Sequence, residues 1–314
     1  MADTLTTLSY EAVQAHEMKL LYRAQQAQVF YPAGQKTNLR KSTGNSVDWR
    51  RFNSLTPTTT ALTEGVTPTE TALSMSQVTA TVAQYGAFVT ISDLLDLMGI
   101  DPVIAEAMEV FGQHGGESIE KIMVDQIDGG TTVQYATGSA RASQAATNII
   151  TVAMIRKAVR TLQNNNAQTY NGMTQNDKVM PSYIAFMHPY VIYDLKNDSE
   201  WKNHQQYSAP EKLYNGEIGE IEGCRVVQST LCPKYTGEGS GGADVYGTIF
   251  LAQHAIGVVD VAGTGKFQMK AKQLGSGGSS DPLDQRATVG WKSQFVSKIL
   301  NDNFMVRLET GATA

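Results

Sequence analysis

Residues 55–71 hold eight threonines, two prolines and one glycine, and no other stretch of the chain restricts the fold so sharply. Pro57 and Pro68 exclude a helix, and Leu55, Leu62 and Val66 are too little apolar mass for a core of their own. Strand patterns flank this stretch. Ser46 to Asn53 (SVDWRRFN) alternates, with Val47, Trp49 and Arg51 on one side. Met75 to Ser92 (MSQVTATVAQYGAFVTIS) sets Val78, Ala80 and Val82 against Gln77, Thr79 and Thr81, which reads as one long strand with a weakly apolar face. Together they predict a long hairpin with a threonine-rich tip that projects from its own domain. A lone two-stranded ribbon is marginal in water, so this one must lean on something.

The remaining patterns alternate between periods. Ala12, Val13, Leu20, Leu21, Ala24 and Ala27 fall at helical intervals and predict a helical N-terminal arm, followed by a Gly/Pro/Asn/Lys-rich connection. From Asp101, a good N-cap before Pro102, apolar residues recur three and four apart as far as Ile127, and Gly129-Gly130 closes the run. A continuous helix of ~28 residues would be ~42 Å long. Gly112, Gly115 and Gly116 in its middle are expected to bend or weaken it. Residues 131–150 read as a loop or short hairpin, and residues 151–162 as an amphipathic helix. Tyr183 to Met187 (YIAFM) reads as a buried strand leading into a short helix at Pro189, and Arg225 to Gln228 as another strand. The last third is strand-rich. No repeat of 20 to 50 residues occurs, and helices mix with strands without βαβ regularity, so the fold class is α+β.

Composition limits what such a chain does. With 314 residues it can form one large domain or two intimately connected ones. Cys224 and Cys232 lack the spacing of a zinc site and read as reduced thiols. The first residues lack the pattern of an export leader, and no apolar run approaches the ~20 residues of a membrane span. Net charge is −5, but residues 1–60 carry seven Lys/Arg against four acids and the remainder 18 against 26. That balance opposes a dedicated nucleic-acid binder and tolerates nucleic acid beside one positive segment. Only 18% of residues are charged, so little repulsion prevents self-association.

Candidate catalytic and binding motifs are weak. Gly237 to Gly242 satisfies GxGxxG, yet Cys232-Pro233 precedes it and a strand-like segment follows, where a dinucleotide site needs a helix; it reads as a flexible loop. Gly263 to Lys266 lacks the first glycine and the Ser/Thr of a phosphate loop and reads as a hairpin turn. His16, His114, His188, His204 and His254 have no zinc-helix spacing. His188, at a strand-to-helix junction, reads as a side chain bonding backbone at a turn. Glu217, Glu220 and Glu222 lack the pattern of a calcium loop and read as a solvated turn. Met98, Met108 and Met123 read as core fillers. No GxSxG elbow nominates a nucleophile, so no catalytic, metal or cofactor site is assigned, and a hydrolase with a dispersed triad is the weakest of the readings.

The order of arm, threonine-rich hairpin, long helix, mixed centre and terminal strands resembles the tailed-phage major capsid protein fold, also seen in encapsulin shells. Three stretches, ALTEGVTPTETALSMSQVTATVAQYGAFVTISDLLDL, IAFMHPYVIYDLKNDSEW and GEIGEIEGCRVVQST, are similar to the coat proteins of N-four-type phages. The resemblance implies an N-terminal arm at 1–45 and an extended loop at 46–95 lying over a neighbouring subunit. It further implies a peripheral domain at 96–150 and 256–314 with the long helix as spine, and an axial domain at 151–255. The implied function is self-assembly, in hexamers and pentamers, into an icosahedral head around double-stranded DNA, located in the virion capsid and assembled in the host cytoplasm. Implied partners are scaffolding, portal and decoration proteins and non-specific DNA, with no membrane. An encapsulin-like compartment is the alternative.

Within that frame Trp49, Arg50 and Arg51 are candidate interface residues at the hairpin root, as an aromatic and two arginines. Glu64 and Glu70 near the tip are candidate partners for basic residues on an adjacent subunit. Some members of the fold crosslink a loop lysine to a neighbour's asparagine. Residues 54–91 contain no lysine, so no such crosslink is expected.

Overall fold

The computed structural model of the chain describes residues 29–39, 44–98, 103–170, 181–207, 217–261, 267–274 and 282–313. The expected N-terminal helical arm, the cap at Asp101 and Pro102, and the turn at 263–266 lie outside the described residues, as does His16. Strands β1 (Gln35–Leu39), β2 (Ser46–Phe52), β3 (Met75–Thr81) and β4 (Ala83–Ser92) lead to a short helix α1 (Asp93–Met98) and the long helix α2 (Val103–Asp128). Next come β5 (Val133–Tyr135), α3 (Val152–Asn164), β6 (Tyr183–Met187), α4 (Pro189–Asn197) and α5 (Ser199–Tyr207). The chain ends with β7 (Glu217–Ile221), β8 (Cys224–Gln228), β9 (Lys234–Tyr235), β10 (Val245–Leu251), β11 (Ile256–Val261), β12 (Gln268–Lys272), β13 (Arg286–Ile299) and β14 (Met305–Thr310).

A seven-stranded sheet runs β5-β14-β10-β6-β8-β7, with β9 on β10. Its centre explains the continuous apolar run of β6, which is buried at every position. Ile184 and Phe186 enter one core and Tyr183, Ala185 and Met187 the other, so neither face carries polar residues. The second core holds α3, whose Val152, Ile155, Val159 and Leu162 point inward as their spacing predicted. The first core is shared with a five-stranded sheet, β1-β11-β13-β12 with β4 also on β13. Helix α2 lies against this sheet, with Ile119, Met123 and Ile127 fully buried. At its edge Glu120 accepts the backbone N–H groups of Val29 and Phe30, and Phe30 stacks on Phe186 at 4.2 Å.

Three sequence expectations are corrected here. The single strand expected over residues 75–92 breaks at Val82, whose N–H bonds the Asn45 carbonyl at 2.8 Å; β3 pairs with β2, whereas β4 pairs with β13. A weakly apolar alternation fixes a strand but not its partner. Helix α2 runs continuously past its glycines. Gly112, Gly115 and Gly116 are buried, and a Cβ on Gly115 would stand 2.0 Å from Phe267 Cε2; the missing side chain lets the helix approach β12. Residues 133–135, expected in a loop or short hairpin, add a parallel strand to β14. Glu217, expected in a solvated turn, is buried in β7 and pairs with Arg225 Nη1 at 2.8 Å, while Glu220 reaches the same guanidinium at 3.3 Å.

A second ionic cluster ties loop to sheet. Arg141 forms a two-pronged pair with Glu309, 2.8 Å at each prong, and lies over the Tyr235 ring. Arg307 bridges Glu309 and Asp128. Arg141 thus satisfies the fully buried carboxylate through both prongs, and Arg307 adds its charge at 3.0 Å.

Candidate assembly surface

The β2–β3 ladder runs in register from Ser46↔Thr81 to Phe52↔Met75. Val47, Trp49, Val78 and Ala80 face the body of the molecule and are the covered residues of the ribbon's apolar side. Trp49 Nε1 donates to Thr37 Oγ1 at 3.1 Å. Its indole packs where a Cβ on Gly257 would come within 2.8 Å, so β11 needs a glycine there. On the other side Thr79 donates to Asp48 at 2.5 Å, and this bond, with one from Gln77 and the nearby Arg50, holds the carboxyl below the usual range.

Beyond the ladder the chain loses all cover. Asn53 N–H bonds the Ser74 carbonyl and its side chain bonds Ser74 and Ser76. Every residue from 53 to 74 is exposed, and the one backbone hydrogen bond inside the loop runs from Val66 to Thr63 at 3.2 Å. Phe52, Leu62 and Leu73 are about 70% exposed or more. A monomer gains nothing from holding such side chains in water.

The five site residues read from sequence divide accordingly. Trp49 is half-buried against its own chain, while Arg50, Arg51, Glu64 and Glu70 are exposed. Among the described residues no ion pair reaches these four. Arg50, Arg51 and Phe52 line a groove of about 550 Å³ with Asn166, His254 and Asn303; Glu64 and Glu70 lie on the loop, outside it.

Sequence reading missed a second exposed region on the outer face of the five-stranded sheet. Opposite residues in an antiparallel ladder share a face, so Lys270, Gly290 and Phe88 form one row and Lys272, Thr288 and Thr90 the next. Lys292 follows, opposite Gly86. They surround a hollow of about 380 Å³ whose lining includes no carboxylate. Phe88 is 74% exposed and lies across Gly290, where a Cβ would meet its own at 2.7 Å. Alternation in QMKAK and GWKSQ was the available signal, but strand order was needed to gather the lysines. Leu94, Leu95 and Leu97 of α1 are also exposed.

The remaining candidates resolve into structure. His188 caps α4 by accepting the Tyr190 N–H at 3.3 Å and stacks on Tyr190; burial and Lys234 lower its pKa. His114 accepts from Trp291 Nε1 at 3.0 Å, and His254 Nδ1 bonds Gln35 at 2.9 Å. The side chains of His204 and Met98 are outside the described residues; Met108 and Met123 are buried. Both thiols are free and buried, their pKa values raised by desolvation. The 237–242 loop, expected to be flexible, is tied by Gly237 N–H to Asp244, Gly239 N–H to Ala243 and Ser240 N–H to Gln144, with positive φ at Gly237, Gly241 and Gly242. Strand β10 follows it, so no helix end is present to hold a phosphate. Among the described residues no His/Cys/Asp/Glu cluster could hold a metal ion, and no helix is long and apolar enough to cross a membrane.

The profile of a family described as phage capsid protein matches residues 76–308, from β3 through β14. The chain belongs to that family. It is thus a structural protein of the bacteriophage virion capsid, on the α+β fold expected from sequence. A search of curated protein sequences finds no matching relative. Among solved structures, the capsid subunit of cyanophage Pam1 superposes with a TM-score of 0.71 at 16% identity, covering 92% of this chain and 93% of the other. The capsid of Ralstonia phage GP4 gives 0.67 at 13%, covering 92% of each. An encapsulin of Synechococcus elongatus gives 0.54 at 7%, covering 91% of this chain and 88% of the other. At these identities the superpositions show a shared fold.

Proposed function

We propose that the β2–β3 ribbon and its loop lie over a neighbouring subunit, and that hexamers and pentamers built on this contact close the icosahedral head around double-stranded DNA. The observation that carries this reading is the loop at 53–74, exposed throughout and bearing apolar side chains that its own chain leaves in water. A second copy supplies the missing surface, which is how a ribbon too polar to stand alone becomes stable. Residues 1–45 act as the N-terminal arm, 46–95 as the extended loop, 96–150 with 256–314 as the peripheral domain around α2, and 151–255 as the axial domain. Arg50 and Arg51 make contacts at the hairpin root, with Trp49 bracing the ribbon from behind. Glu64 and Glu70 meet basic residues of the neighbour. The subunit works without catalysis, and scaffolding, portal and decoration proteins complete the particle. The three quoted stretches support placing it beside the coat proteins of N-four-type phages.

Deleting residues 58–70 tests this directly. The subunit should remain folded and fail to close shells; normal particles in electron micrographs would overturn the assignment of the loop. With no lysine in residues 54–91, purified particles should also run as single subunits on denaturing gels, where a covalent ladder would contradict the non-covalent reading.

A further inference from the structure

Resting on the proposed role of the loop, the geometry points to its docking site: the Lys270, Lys272, Lys292 and Phe88 hollow on the outer sheet face of a second copy receives the Glu64–Glu70 segment. The two surfaces match in charge. Three ammonium groups surround the hollow and no carboxylate lines it, and among the described residues none of the three lysines has an ion pair. From Phe52 to Ser92 the only charged residues are Glu64 and Glu70. They also match in length. The lysines extend over four strand positions, roughly 13 Å at the usual rise, and the two glutamates stand six positions apart, at most about 20 Å when extended. Gly65 and Pro68 between them shorten that span towards the lysine spacing.

Apolar chemistry points the same way. Phe88 stands in water across Gly290, beside the stems of the lysines. Between the glutamates lies Val66, with Leu62 just before, both exposed. A polyphosphate such as packaged DNA would use the lysines alone and leave Phe88, Leu62 and Val66 unsatisfied. Among the described residues the loop makes no ion pair with a lysine of its own chain, and the occupant that fits the hollow is another copy. The contact is an exposed ionic one around a small apolar centre, and it steers and registers subunits while the rest of the interface supplies the adhesion.

Charge reversal tests this on the full chain expressed alone and treated with nuclease, with assembly followed by sedimentation and folding by circular dichroism. Lys270→Glu with Lys292→Glu should cut closed shells at least about tenfold, and Glu64→Lys with Glu70→Lys should do the same. All four together should recover to within about threefold of the parent, because the attractive pairs are restored with opposite sign. A quadruple variant no better than either pair overturns the docking site, as do lysine variants that assemble normally. If the 58–70 deletion fails to assemble while both reversals assemble, only the docking site falls. A deletion that assembles, or a parent chain that stays monomeric, removes the role of the loop as well.

Discussion

The seven-stranded sheet and the β2–β3 ribbon are both β structure, yet they are held by opposite means. In the sheet, β6 and β10 are buried at every position, and each buried charge has its counter-charge within the chain. Arg225 has Glu217 and Glu220, and Glu309 has Arg141 and Arg307. In the ribbon, burial extends to Trp49 and its neighbours on one side and then stops, and the charges at 50, 51, 64 and 70 face solvent. A sequence that closes its own core in one region and leaves another ordered but uncovered is divided between intramolecular and intermolecular stability. The difference predicts that mutations in the sheet act on folding and mutations in the loop act on assembly.

The largest effect on folding should come from the sheet. Glu309→Ala leaves two guanidiniums without their shared carboxylate and should lower unfolding free energy by about 3–5 kcal/mol, read from the denaturant midpoint of the unassembled subunit. A loss below about 1 kcal/mol would mean that solvent reaches the cluster. His188→Ala removes the cap of α4 and should cost about 0.5–2 kcal/mol. The same residue sets a pH dependence. Burial lowers its folded-state pKa from 6.5, so the neutral ring's contribution is complete above that value and is lost as the pH falls through the folded-state pKa. Stability should decline on acidification below about 6.5, and His188→Asn, which keeps a capping group, should flatten that slope. The smallest effect belongs to the ribbon. Deleting 58–70 should change unfolding free energy by no more than about 1 kcal/mol, since shortening a loop alters little besides closure entropy. A loss matching that of Glu309→Ala would erase the distinction between the two regions.

Where one element determined its own environment, the sequence was readable. The alternation of SVDWRRF, the threonine-rich gap and the apolar spacing of α3 predicted the hairpin and helix now seen. The continuous YIAFM run announced a strand covered on both faces. Legibility failed where a partner distant in sequence decides. Val82 looks like its neighbours but marks the change from β2 to β13. Gly115 carries a helix-weakening propensity that tertiary packing overrides, because Phe267 needs its space. Glu217 looks solvated until Arg225 of the adjacent strand is placed beside it. The candidate site shows the same division. Arg50, Arg51, Glu64 and Glu70 were visible as exposed ribbon charges, and Trp49 was visible as an anchor, although the chain it touches here is its own. Lys270, Lys272 and Lys292 were not, since two strands had to be set side by side before they met.

Amide hydrogen exchange on residues 53–74, compared between unassembled subunits and closed shells, measures most directly whether a second copy bears the ribbon. With one backbone hydrogen bond between residues 54 and 73, the loop should exchange at nearly unprotected rates in the subunit and become strongly protected in the shell. Protection already complete in the subunit, or absent from the shell, would contradict it.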